Sequence, residues 1–202
     1  VPKQAAEAEA EKERIIQAAY RCLAASDGAA ASITDILATA NLSTRAFYRH
    51  FDSKDNLLLT MFRQDADRVL AECRAIVAEA PSPAEALRGL IHGMLRLTAE
   101  MPRRRRVLVL ASEETQRARG YAAEYARFLT EQERIIVEIL RDGKERGSFP
   151  WADPEPDARS IRAAINDAFA EQMSQTAKVT PFEAAEQVTN FALRALGAVR
   201  HS

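Results

Sequence analysis

The stretch STRAFYRHF, residues 43–51, sets Thr44, Arg45, Tyr48, Arg49 and His50 among two phenylalanines. On a helix, Phe47 and Phe51 lie four apart and share a face, so they can pack inward with Leu42, Ile36 and Leu57. Thr44, Arg45, Tyr48 and Arg49 then fall on the remaining faces, toward solvent or a partner. A helix with an apolar back and a Thr/Arg/Tyr front suits the major groove of duplex DNA. An arginine can bond guanine O6 and N7 together, and a threonine methyl can meet a thymine methyl. Ser43, Tyr48, Lys54 and the amide-rich start of the helix at Lys54 are placed for flanking phosphates. Solvated surface arginines alone would leave the exposed tyrosine, the capped turn and the cap-plus-lysine that follows unexplained.

Such a helix needs supports, and the neighbouring sequence supplies them. From Arg14, the residues Ile15, Ile16, Ala19, Cys22 and Leu23 recur at helical spacing until Ser26-Asp27-Gly28. Ser32 with Asp35 predicts a capped start for a short helix, SITDILATA, whose Ile33, Ile36, Leu37 and Ala40 share one face. Asn41 tolerates the left-handed backbone of a tight turn, Ser43 can cap 44–50, and Asp52-Ser53 can cap a long helix from Lys54. Two short helices across a tight turn, braced by a longer one before them, have the layout of a helix-turn-helix. The remainder reads as helices near 54–80, 84–100, 103–118, 121–146, 155–176 and 181–199. The fold class is all-α. Residues 1–13, Ala/Glu-rich without an apolar stripe, read as a frayed helix start or a flexible arm. The DNA-binding domain is expected over 14–58 and a larger helical domain over 59–202.

Composition narrows the classes. A formal net charge of −1 over 202 residues makes no global case for nucleic acid, so any such case is local. Between Arg14 and Leu58 the basic and acidic residues nearly balance, a weak electrostatic footprint that calls for two copies on one DNA. Cys22 and Cys73 lie far apart among apolar neighbours and read as buried thiols of a reduced compartment. No window is apolar enough for a membrane span, so a soluble, cytoplasmic protein without membrane contact is expected. HExxH, GxSxG and GxxxxGK[ST] do not occur, and His50, His92 and His201 are scattered, so no enzyme, metal site or cofactor is expected.

TDILATANLSTRAFYRHFDSKDNLL, residues 34–58, resembles the DNA-binding signature of the TetR family of bacterial regulators. The family pattern runs as a T-x-x-I-A-x-x-A-G-V-S core, an aromatic-Tyr-x-His-Phe run, then a lysine in SK-[ED]-x-L. Arg14, Ile15, Ala18, Ala19 and Gly28 also match. Leu37 stands where alanine is usual, and Asn41-Leu42 replaces Gly-Val. The resemblance implies that Ser43 through Phe51 form the recognition helix. Thr44 and Arg45 match base-facing positions and Tyr48 and Lys54 phosphate-contacting ones; Ser43, Arg49 and His50 complete the DNA-binding set. It further implies an inverted-repeat operator bound by a homodimer, whose subunits join through the last two long helices. Ile161, Ile165, Phe169 and Met173 on one, and Val188, Phe191, Ala195 and Leu196 on the other, are the candidate interface.

Residues 84–147 would then enclose a pocket for a small, largely apolar effector. Its candidate lining is Leu90, Met94, Leu97, Leu108, Tyr121, Tyr125, Phe128 and Ile136, with His92 as a polar handle; each also suits an ordinary core position. The arginines 103–106 point around a helix and cannot all serve one site. Solvation, or pairing with Glu113, Glu114 or other acids, is expected of them, with capture of a ligand's phosphates as the alternative. Trp151 is expected to pin its loop. The overall expectation is a ligand-released repressor. A DNA-binding regulator without an effector and a helical small-molecule carrier stand as alternatives.

Overall fold

The computed structural model describes residues 2–25, 31–174 and 177–198, with side chains from residue 5 onward. Among these, the helices run in the order α1 (Pro2–Ala25), α2 (Ile33–Ala40), α3 (Thr44–His50), α4 (Lys54–Glu79), α5 (Pro83–Arg96), α6 (Met101–Leu110), α7 (Glu113–Arg117), α8 (Tyr121–Glu145), α9 (Pro154–Met173) and α10 (Pro181–Ala195). The Ser26-Asp27-Gly28 turn, Gly28 as a family match, the end of the 155–176 helix, Val199 and His201 lie outside the described residues. The chain divides into two compact units: residues up to Asp65 with Arg105–Tyr125, and Ala66–Arg104 with the chain from Ala126 onward. Residues 59–65 and 105–125, read from sequence into the larger domain, are thus part of the first unit. The boundary expected at residue 58 falls inside α4, where no turn residue marks a break.

In the first unit, Ile15, Ile16, Ala19, Ile36, Leu37, Phe47, Phe51, Leu57 and Met61 are buried together as a small apolar core. The expected Ser32–Asp35 capping box starts α2, with the Ser32 side chain accepting from the Asp35 N–H. The turn after α2 is closed by the backbone. Asn41 sits at φ 53° and ψ 53°, its N–H donates to Ala38 O at 3.2 Å, and the Leu42 N–H donates to Leu37 O at 3.0 Å. This paired closure is how a left-handed residue ends a helix, and asparagine takes the place glycine usually fills. Arg14 of α1 completes it, donating from Nη2 to Ala40 O at 2.7 Å and Asn41 O at 3.4 Å. A cation is thereby set against the carbonyl end of α2, where the helix dipole favours it.

One segment takes one of its two expected forms, and two others differ from expectation. Residues 2–13 are the opening turns of α1, because Ala and Glu favour helix and Glu11 finds partners on α3. The helix expected over 103–118 is broken into α6 and α7, because Ser112 leaves the helical conformation to cap α7 and accepts from the Thr115 N–H. The last helix stops at Ala195, where Gly197 at φ 68° closes it through Ala198 N–H to Leu193 O at 2.9 Å.

The second unit is built on α5, α9 and α10, which pack against one another. Its core includes Leu87, Leu90, Ile91, Leu95, Ile136, Leu140, Phe149, Ile165 and Leu196, all almost fully buried. Phe149 lies against Gly143, where a Cβ would come within 2.0 Å of the ring. Cys73 is buried in the same core beside Met94, its Sγ 3.7 Å from the thioether sulfur, and desolvation pushes its thiol up to about 11. No described helix is long and apolar enough to cross a membrane.

Two outcomes follow from this packing. Asn41→Val should destabilise the first unit by roughly 1–2 kcal/mol, the cost of a branched side chain in the left-handed region, whereas Asn41→Gly should be nearly neutral; thermal or urea unfolding reads both. At neutral pH Cys73 should resist thiol reagents in the folded protein and react only on unfolding. A Cys22→Ser variant isolates that signal, because Cys22 is half-exposed.

Candidate nucleic-acid interface

α3 is capped at its start by Ser43, whose Oγ accepts from the Ala46 N–H at 3.2 Å. Ala46, Phe47 and the following Phe51 are buried, and the Phe47 and Phe51 ring centroids lie 5.5 Å apart. With that back face fixed, Thr44, Arg45, Tyr48 and Arg49 are all exposed, Tyr48 by 57%. A tyrosine half open to water, held edge-on to a buried phenylalanine at 5.3 Å between centroids, is a rigid polar-tipped probe. Arg45 has no ion pair among the described residues, so its guanidinium stands ready for an outside acceptor. The four residues form one surface beside the capped turn.

His50 and Lys54 belong to the same sequence motif but face inward partners. His50 is largely buried, and its Nε2 lies 2.8 Å from Glu11 Oε1. An ionised carboxylate only accepts, so the imidazole presents Nε2–H there and braces α3 against α1. Arg49 Nη2 reaches the same carboxylate, 2.9 Å from Oε1 and 3.3 Å from Oε2. Lys54 is paired with Glu114 of α7, whose second oxygen is buried without a partner among the described residues. Next to it, the Arg119 N–H donates to Asp55 Oδ2 at 3.1 Å. Glu11 and the capping role of Arg14 escaped the sequence reading, and Glu114, expected to pair with the arginine run, pairs with Lys54 instead. Their partners lie 26–60 residues away in the chain, and no local pattern announces them.

The other candidates separate. Leu90, Met94 and Leu97 are buried and Phe128 packs on the same core, all in the second unit. Leu108, Tyr121 and Tyr125 lie in the first unit, with Leu108 exposed. There Tyr121 and Tyr125 pack on Phe62, at 5.2 and 6.3 Å between ring centroids. His92 is engaged by an acid of α10. Its Nε2 lies 2.8 Å from Glu186 Oε1, an oxygen that also accepts from Arg88 Nη1 at 2.7 Å, and its ring meets Phe182. Partial burial works to raise the Glu186 carboxyl, but these hydrogen bonds outweigh it and hold it below the usual carboxylate range. In the second unit's interior, sequence reading overlooked Gln132 of α8, whose buried amide nitrogen and oxygen lack partners among the described residues.

Three of the four consecutive arginines serve the scaffold. Arg103 bonds Glu72 at 2.6 and 3.1 Å. Arg104 donates to the carbonyls of Thr98, Gln172 and Met173, closing the end of α9. Arg106 lies over the Tyr20 ring at 4.8 Å. That leaves Arg105 exposed and gives no cluster for a ligand's phosphates. On the expected interface helices, Ile161, Ile165 and Leu196 belong to the protomer's own core and are not available to a partner. Phe169, Met173 and Val188 are half-buried, while Phe191 and Ala195 are exposed. Trp151 is exposed, yet its ring covers Gly197 and its backbone N–H donates to Leu196 O at 3.2 Å, so it does hold the end of α10.

Comparison with known proteins places this geometry. Residues 15–61 match the family model of bacterial regulatory proteins, tetR family, and residues 80–196 match that of the tetracyclin repressor-like C-terminal domain. No curated protein matches significantly. Among solved structures, the fatty acid degradation regulator FadR from Bacillus halodurans superposes with a TM-score of 0.75 at 20% identity, over 95% of this chain and 97% of that one. The transcriptional regulator FadR from Bacillus subtilis, in complex with stearoyl-CoA, gives 0.75 at 17% identity, over 91% and 98%. AibR, in complex with isovaleryl coenzyme A and operator DNA, gives 0.66 at 17%, over 90% and 97%. These likenesses establish the shared fold. With one family model on the helix-turn-helix and the other running over more than half of the residues, the chain belongs to the TetR family of bacterial DNA-binding transcriptional regulators.

Proposed function

We propose that the protein is a repressor that binds an inverted-repeat operator as a homodimer and leaves it when a small, largely apolar effector binds. The observation that carries the DNA half is the exposed Thr44, Arg45, Tyr48 and Arg49 surface on a helix whose other face is buried. Arg45 is the base-reading residue, suited to a guanine, with Thr44 beside it. Tyr48 and Ser43 contact phosphates and set the register. Lys54 joins them by exchanging Glu114 for a phosphate, and His50 holds the helix in place through Glu11.

Dimerisation through α9 and α10 accounts for Phe191 and Ala195 lying open to solvent beside half-buried Val188, and for Phe169 and Met173 on α9. A two-fold pair would present two copies of α3 to an inverted repeat and supply the affinity that a nearly neutral half-site contact lacks. For the effector, two structures of the same fold hold acyl-CoA molecules. In this chain, the interior amide of Gln132 among apolar residues offers one polar contact to a mostly apolar guest. Release requires the effector to favour the conformation that does not fit the operator; equal affinity for both would shift nothing. The close packing of Leu90, Met94 and Leu97 favours the second reading, a DNA-binding regulator that takes no effector.

Selection from random duplex DNA should recover an inverted repeat with the wild-type protein and a repeat relaxed at one guanine per half-site with Arg45→Ala. Failure of the wild type to enrich any sequence at moderate salt would refute the operator reading. Phe191→Glu should convert the dimer to monomer in sedimentation and weaken operator binding. An unchanged dimer would remove this face of α10 from the interface.

A further inference from the structure

Glu11 has no role in a DNA-binding surface by its charge, yet it sits at the margin of this one. Its carboxylate is only 23% exposed and engages two adjacent residues of α3, Arg49 and His50. Arg45 and Arg49, four residues apart, share the exposed side of α3, and of the two only Arg49 reaches the Glu11 carboxylate on α1. Arg49 remains 61% exposed, and with Glu11 it lines an open concavity of about 440 Å³ that also borders Leu37, Asn41 and Ala46. Its guanidinium therefore has room to leave the carboxylate, and an exposed ion pair holds it only weakly.

We propose that Glu11 is a specificity-determining residue. It holds Arg49 aside and neutralises it, keeping that cation out of sequence-independent phosphate binding. The inference rests on α3 being the DNA-reading helix. Non-specific affinity grows with the number of phosphates neutralised, while discrimination comes from base edges. A freely swinging arginine beside the groove would strengthen binding to every sequence and so lower the ratio of specific to non-specific affinity. The carboxylate on the flank opposes this twice, by occupying Arg49 and by repelling a phosphate that approaches from the α1 side. His50 keeps the carboxylate in place, so the tether is built into the same contact that braces the helix.

The test uses Glu11→Gln, which removes the charge while keeping an acceptor oxygen for His50. Binding of the full-length dimer to random-sequence duplex is measured across a salt series, with Arg49→Gln and the double variant in parallel. Glu11→Gln should raise non-specific affinity roughly fivefold near 0.1 M salt and steepen the slope of log K against log salt by about 0.9, one added phosphate. The double variant should lose both gains, because they require Arg49. A merely structural strut would weaken all binding and leave the slope unchanged. That result, or a steeper slope that persists without Arg49, overturns the proposal. The readout does not depend on an operator being found, so it stays separate from the outcome of sequence selection.

Discussion

A helix of seven residues cannot hold itself together in water, and α3 has that length. Everything around it compensates. Phe47 and Phe51 supply the apolar anchor, Ser43 satisfies an N–H at its start, and Asn41 turns the chain so that α3 leaves α2 at the required angle. Arg14 ties that turn to α1 by two carbonyls, and Glu11 ties the far end of α3 to the same helix through His50. With α1 gripping both the turn and the end of α3, the exposed side chains need spend little order of their own when they meet a partner.

Charge around the site is arranged more sparingly than composition suggests. Arg49 and Lys54 each face an acid brought from another helix, Glu11 of α1 and Glu114 of α7, so that of Arg45, Arg49 and Lys54 Arg45 alone has no ion pair among the described residues. Glu114 is the more committed of the two acids, since its second oxygen is buried. Moving Lys54 to a phosphate therefore exposes the cost of an uncompensated buried carboxylate, whereas releasing Arg49 from the more open Glu11 pair costs little. Strong non-specific binding and selective binding call for opposite charge distributions.

The arginine run shows the same economy elsewhere in the chain. Arg103 pairs with acids, Arg104 closes the carbonyl end of α9, and Arg106 lies over an aromatic ring. Successive residues leave a helix about 100° apart, so neighbours in sequence become ties in different directions. The alternative of a phosphate-binding cluster fails for that geometric reason.

What the sequence determined by itself was local: the helical class, the caps at Ser32 and Ser43, the left-handed turn at Asn41, and which side of 44–50 is apolar. Each depends on residues within one or two turns of each other, where spacing and side-chain chemistry leave few options. The family signature lay in the same compact stretch and was legible for the same reason. Tertiary structure alone decided which of the exposed cations are free, because their acids lie tens of residues away. It also decided which apolar residues of α9 and α10 face inward: Ile161, Ile165 and Leu196 form core, while Phe191 remains outside. A broad apolar stripe has two sides, and only the placement of neighbouring helices chooses which one meets the protomer's own core.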